Sequence, residues 1–413
     1  MRKLLRQIAS PLISLAFLML SNGFFLTYVS AKLKVENFAS FQIGMIQGSY
    51  YAGFLIAALK SEKIIERIKH IRAFSFFASI ATAATLMTVF ANHIIIWMVM
   101  RFIMGVCIAA LYVVIESWLL ILSSQKNRGT ILAIYMISLY VSQSASQYII
   151  NFIQIESMLA YIIAGFLAAL SILPVTFTRT SIPEIEAPPA MAIFKFLMVA
   201  PLGTIGAILS GVMLGSFYTF GPNFAQSYGL SIAHLMSITI AGGFILQYPI
   251  GHLSDLFDRG KVLVFVSFMA LVMSILLVMM SFNTAAVLVL SFILGGFIFT
   301  IYPLSITQVV DRTHANQTTT VAGVMLFAYS IGAVVGPLLT PIFISLFNGE
   351  VGLYYSIASN AFVLLLVAII MMSVRNPIPK SKQESFVVIP PQSPVVNDLD
   401  PRNRVPKKDP SMK

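Results

Sequence analysis

The sequence predicts an all-α membrane protein, with twelve transmembrane helices in two halves of six. Three observations carry that prediction. Of 413 residues, 58% are hydrophobic and only 10% are charged, against about 45–50% and about 25% in soluble domains. The apolar residues gather into stretches of about 20, the length needed to span a bilayer as a helix. The second set of stretches echoes the first in one register.

The spans read as 11–30, 40–59, 73–91, 94–121, 130–150 and 158–177, then 196–218, 232–251, 262–281, 284–307, 319–342 and 352–373. Helices are expected because lipid cannot satisfy an open strand edge, and the in/out alternation of a barrel is missing. The first stretch follows Arg2, Lys3 and Arg6 and ends near Val29-Ser30-Ala31, which loosely resembles a signal-peptidase site. Its length and the similar stretches after it make it an anchor rather than a cleaved leader.

The net charge of +11 does not point to nucleic acid, because the cations lie in short loops and a tail. With the N-terminus cytoplasmic, only Lys32 and Lys34 fall on the opposite side, and Arg101 lies inside a span. All other Lys and Arg fall on the cytoplasmic side, which places both termini there, in a multi-pass protein of the cell's inner (cytoplasmic) membrane. The organisation expected is an N-terminal six-helix half (1–177), a cytoplasmic linker (178–195), a C-terminal six-helix half (196–373) and a disordered cytoplasmic tail (374–413). The tail is rich in Pro, Lys, Ser and Asp and cannot bury a core. The single cysteine, Cys107, excludes an intrachain disulfide and a Cys-based zinc site and reads as a buried small hydrophobe.

Shifting the second half back by 190 residues lays Ser291-Phe292-Ile293-Leu294-Gly295 on Arg101-Phe102-Ile103-Met104-Gly105. It also lays Tyr302 on Tyr112, Gly243-Phe244 on Gly53-Phe54, Gly251 on Ser61 and Arg259 on Lys69. Apolar sequence gives single matches easily, so the shared register is the better evidence.

The eighth span ends in Gly251-His252-Leu253-Ser254-Asp255, followed by Asp258-Arg259-Gly260-Lys261. This resembles the loop signature of the major facilitator superfamily, G-x-L-[AS]-D-x-x-G-R-[RK]-[RK]. Asp258 stands where that signature has glycine. In the first half Ser61 and Ile65 replace the Gly and Asp, which leaves Glu62 or Glu66 for any equivalent contact. Arg101-x-x-x-Gly105-x-x-x-Ala109 is similar to the family's fourth-span motif. With Glu116-Ser117-Trp118, Asn127-Arg128-Gly129, Tyr302-Pro303-Leu304 and Gly332-x-x-x-Gly336-Pro337, the pattern resembles the YcaD-like branch over about residues 10–375. The resemblance implies two six-helix halves related by an axis along the membrane normal, with a substrate cavity between them. It implies a gating role for Gly251, Asp255, Arg259 and Lys261, with Asp255 pairing with Arg259 or capping a neighbouring helix. The fifth span, Val141 to Gln147, lacks the G-x-x-x-G-P typical of proton-coupled drug antiporters. Ile121 stands about where sugar porters carry a Glu.

Ionisable residues inside a span are costly and mark function by default. Two are clearly inside, Arg101 and Glu116, about 22 Å apart along one helix and about 60° apart in azimuth. They cannot pair. Arg101 is expected to bind an anionic group, to repel a proton from a nearby carboxylate, or to anchor to neighbouring carbonyls. Glu116 is expected either to carry a proton or to pair with Arg128. Asn22, Gln47, Tyr112, Gln143, Gln147, Gln247 and Tyr302 complete the substrate and ion candidates. Some should line the cavity, and others should tie helix to helix. His234 reads as an interfacial residue at the start of the eighth span.

No phosphate-binding loop, nucleophile elbow or metal-spaced cluster occurs in the sequence, so no enzyme, cofactor or metal is expected. The reading is a secondary active transporter working by alternating access, monomeric and proton-coupled, with a small molecule as its substrate. An uncoupled uniporter and a transporter-fold sensor or receptor stand as alternatives.

Overall fold

The computed structural model describes residues 2–124, 126–176, 199–313 and 318–374, with residues 379, 383, 386–388, 390 and 391 of the tail. The side chains of 2–7, 58–64, 66 and 318–320 are excepted, so Glu62 and Glu66 lie outside the described residues.

All regular structure among the described residues is helical. The first set of helices comprises α1 (Arg2–Val35), α2 (Ser40–Ile68), α3 (His70–Met87), α4 (Ile94–Leu122), α5 (Arg128–Ser146) and α6 (Leu159–Thr176, with a break at Ser171). The second comprises α7 (Pro201–Ser227), α8 (Ile232–Leu256), α9 (Arg259–Met279), α10 (Thr284–Asp311), α11 (Thr318–Leu346) and α12 (Gly352–Val374). Two 3₁₀ turns, Thr88–Phe90 and Gln147–Phe152, close α3 and α5. The expected 196–218 span is displaced, because Pro201 starts α7. Proline suits a helix N-terminus, where its missing N–H costs nothing. The helix then runs on to Ser227, and the chain turns at Gly229, whose φ of 65° is in the left-handed region.

Ten of these helices are long and apolar enough to cross a membrane, by length and composition among the described residues; α2 and α5 fall short. The reason lies in what they face. The polar residues of α2 (Gln47, Tyr50) and α5 (Gln143, Ser144, Gln147 at its end) point at other helices. On the outer surface Phe166, Phe268, Val289, Ile342 and Ile370 are exposed. An apolar exterior over a polar-lined interior is the arrangement a lipid solvent selects.

The packing repeats. In the first set α1 packs on α5 and α6, α2 on α4, and α3 on α4 and α6. In the second α7 packs on α11 and α12, α8 on α10, and α9 on α10 and α12. Across the sets α1 meets α7, α2 meets α11 and α5 meets α8. The starts of α4 at Ile94 and α10 at Thr284 keep the 190-residue register. The side chains of His93 and Asn283 cap those two starts.

Glycines set the closest crossings. On α2 and α4 a Cβ at Gly53 would strike the Phe102 carbonyl, and one at Gly105 the Tyr50 carbonyl. On α8 and α10 the same contacts are Gly242 on Phe292 and Gly295 on Thr239. The sequence register paired Gly53 with Gly243, but Gly243 meets the Phe299 ring instead.

Part of the tail expected to be disordered lies against the helices. Phe386, Val387 and Val388 pack on the core, and Pro390 is buried.

Candidate functional site: a tyrosine-lined cavity

Where the two sets of helices face each other they border a cavity of about 80 Å³. Its wall is aromatic: Tyr50, Tyr51 and Phe54 from α2, Tyr112 from α4, Tyr140 from α5, Tyr218 from α7, Phe299 from α10 and Tyr329 from α11. Asn22, Gln143 and Ser330 supply polar groups. The rings touch in chains. Tyr140 stacks on Phe244 at 5.3 Å, and Tyr218 meets Phe299 edge-on at 6.1 Å. The Tyr50 hydroxyl donates to Asn22 Oδ1 at 3.2 Å, and Gln143 Nε2 donates to the Tyr218 hydroxyl at 2.9 Å. Such a wall offers flat apolar faces with hydroxyls and amides at their edges, which suits a planar solute with a few polar groups.

Arg101 stands directly behind this wall. It is fully buried, and its guanidinium lies 4.6 Å from the Tyr50 ring centroid and 5.9 Å from that of Phe25. Its Nη1 contacts Met104 Sδ at 3.9 Å, and among the described residues Nε and Nη2 have no hydrogen-bond partner. Anchoring to carbonyls, one of the expectations for Arg101, is not the arrangement seen among the described residues. Stacking on Tyr50 contributes about 0.5–2 kcal/mol, short of the several kcal/mol that desolvating a charge costs. A buried cation with unsatisfied donors is a functional signal inside a membrane span.

Glu116 lies deeper on α4, fully buried, and accepts a hydrogen bond from the Tyr135 hydroxyl of α5. It does not line the cavity.

The other sequence candidates divide. Asn22, Tyr112 and Gln143 line the cavity. Gln47 instead ties α2 to α1 through the Leu26 carbonyl at 3.0 Å. Gln147 accepts from Thr27 at 2.6 Å and donates to the Gly23 carbonyl at 3.2 Å. Gln247 bridges the sets, donating to the Tyr140 hydroxyl at 3.3 Å and to the Phe299 carbonyl at 3.1 Å. Tyr302 is buried edge-on against Tyr329 at 5.3 Å. His234 rests on Tyr148 at 5.6 Å. Tyr51, Phe54, Tyr140 and Phe299 escaped the sequence reading. Aromatic residues are abundant in the apolar stretches, and only packing separates lining rings from core ones.

Near the end of the bundle at which α1, α5 and α7 finish, the two sets are tied together. Lys34 pairs with Glu350, and Ser30 donates to the Thr219 carbonyl. The Ser144 and Ser237 hydroxyls lie 2.6 Å apart.

The α8–α9 turn is at the opposite end. Asp258 caps α9, accepting from the backbone N–H of Gly260 at 2.9 Å and of Lys261 at 3.3 Å. This explains an Asp where the loop signature has Gly: the side chain supplies the helix start. Arg259 is buried and pairs with Asp311 at the end of α10, with Ser254 Oγ 3.2 Å away. Asp255 Oδ1 is 3.9 Å from Arg259 and accepts the Phe386 backbone N–H at 2.7 Å. Gly251 lies under the Phe386 ring, and Lys261 is exposed. Asp311 was missed because it ends a different helix, far along the chain from Arg259.

The comparisons with known proteins point the same way. The family model described as Major Facilitator Superfamily matches residues 11–337. The MFS-type transporter YcaD of Escherichia coli is 32% identical over 350 residues, covering 83% of this chain and 89% of that protein. The fold is also that of the nucleoside transporter NupG, with a TM-score of 0.70 at 16% identity over 89% of this chain and 98% of that one. A bacterial homologue of the human lysosomal transporter Spinster, crystallised inward-facing and unoccupied, gives 0.67 at 14% identity over 89% and 94%. The motifs, the all-helical fold and these matches agree: this multi-pass membrane protein belongs to the major facilitator superfamily of transporters.

Proposed function

We propose that the protein is a secondary active transporter that moves a planar, hydrogen-bonding small molecule across the cytoplasmic membrane by alternating access. Twelve spans form two six-helix halves, 1–177 and 196–373, joined by a cytoplasmic linker, with both termini cytoplasmic. The observation that carries the reading is the tyrosine-lined cavity at the junction of the two sets of helices. The repeated packing supports two rigid units that rock about that cavity. The end held by Lys34–Glu350, Ser30–Thr219 and Ser144–Ser237 is the extracellular gate, closed here.

In this reading the aromatic wall stacks the solute and Asn22 and Gln143 orient it. Arg101 puts positive charge behind Tyr50, which favours an anionic or electron-rich ring. Glu116, held by Tyr135, is the proton carrier that couples uptake or release to the proton gradient.

The test is a thermal-shift screen of the purified protein against planar metabolites and drugs at two pH values, followed by flux of each hit into proteoliposomes. Ligands of the folded state raise the melting temperature by mass action. Aromatic hits with flux driven by an imposed pH gradient support the reading. Hits without flux remove transport, and flux indifferent to the gradient removes proton coupling.

A further inference from the structure

We propose that the C-terminal tail is a built-in plug of this transporter, closing the cavity from the end that carries the α8–α9 turn. Two contacts at different depths carry this. At the turn, the Phe386 N–H is held by Asp255 at 2.7 Å and its ring covers Gly251. Farther along, Pro391 lines the tyrosine cavity beside Tyr50, Tyr218 and Tyr329.

The reach is right for one extended strand. Pro391 is five residue steps beyond Phe386, a maximum of about 17 Å, enough to run from a helix end toward mid-membrane. Val387 and Val388, partly buried, pack against the core and Pro390 is buried, so these described tail residues lie against the bundle. Pro391 also helps explain why a cavity at this junction measures only about 80 Å³, when sites for small molecules span about 300–1,000 Å³.

The sequence suits the job. Proline has little backbone freedom to lose when fixed in place, and a Phe followed by two valines presents apolar groups to an apolar wall. Asp255 belongs to the motif turn, so the plug binds a residue of the gating machinery as well as blocking the path. Entry from that side therefore requires the tail to leave first. The inference rests on cavity access, and it can fail or hold whatever the protein transports.

The experiment measures access without needing a substrate. In a Cys107→Ala background, Ser330→Cys places one thiol in the cavity. Its reaction with a membrane-impermeant maleimide is timed in inside-out vesicles. Three chains are compared: full length, a chain ending at Val374, and full length with Phe386→Asp. The expected result is labelling at least tenfold faster in both altered chains, with equal membrane accumulation. Equal labelling rates in the full-length and altered chains overturn the proposal. If the shortened chain fails to accumulate, Phe386→Asp decides alone by the same criterion.

Discussion

At the scale of single residues, charges are placed where their burial has to be explained. Arg259 and Asp311 form a buried pair that joins the start of α9 to the end of α10. Removing one member of a buried ion pair is strongly destabilising, up to about 3–5 kcal/mol where the other charge is left uncompensated, and Asp255, 3.9 Å from Arg259, offsets part of it. Asp311→Ala should therefore lower the melting temperature of purified protein markedly. Asp258→Ala, which removes only the α9 cap, should cost about 1 kcal/mol and shift it by much less. Equal shifts would mean that the pair is not the stronger fastening. Arg101 behaves in the opposite way. Its Nε and Nη2 have no partner to lose among the described residues, so Arg101→Met should leave the melting temperature unchanged or raised while abolishing the thermal shift given by anionic ring ligands. A lower melting temperature with binding intact would make Arg101 structural. Arg101 and Glu116 were legible in the sequence because charge inside an apolar stretch stands out. Asp311 was not, because an aspartate at a helix end gives no sign of which distant arginine it meets.

At the scale of helices, the tightest crossings depend on glycine rather than on apolar side chains. Lipid is as apolar as leucine, so helices gain by close approach and not by escaping solvent. The α2–α4 crossing at Gly53 and Gly105 should not tolerate a large residue. Gly105→Leu should reduce membrane accumulation of folded protein severalfold, measured by gel filtration of a fluorescent fusion. Gly349→Leu, at a site with open space around the Cβ, should have no effect. If Gly105→Leu accumulates normally, the crossing is looser than described. Helix positions were mostly readable because a run of about 20 apolar residues is a strong signal. The start of α7 was misplaced because apolar residues precede Pro201 as well as follow it. The polar residues of α2 and α5 were readable as inward-facing, but their sorting was not. Gln47 and Gln147 tie helices together while Gln143 reaches the cavity. That difference depends on helix rotation, which lipid-exposed neighbours constrain only weakly.

For the whole molecule, the repeat of packing partners between the two sets is the structural counterpart of the 190-residue register read from the sequence. The sequence could show this much because two copies of one plan keep the starts of α4 and α10 in step. It could not show the contacts that Phe386, Val387 and Val388 make with the helices, because a composition rich in Pro, Lys, Ser and Asp reads as unfolded. The central claim is that the two sets rock about the cavity, one end closing as the other opens. Paired spin labels test it most directly. In a Cys107→Ala background one pair is placed at Asn37 and Asn348, near the Lys34–Glu350 link, and another at Arg67 and Lys261, at the opposite end. Distances are compared with and without Lys34→Gln in lipid nanodiscs. The account predicts that loosening the link lengthens the 37–348 distance and shortens the 67–261 distance in the same sample. Unchanged distances, or both changing in the same direction, would contradict it.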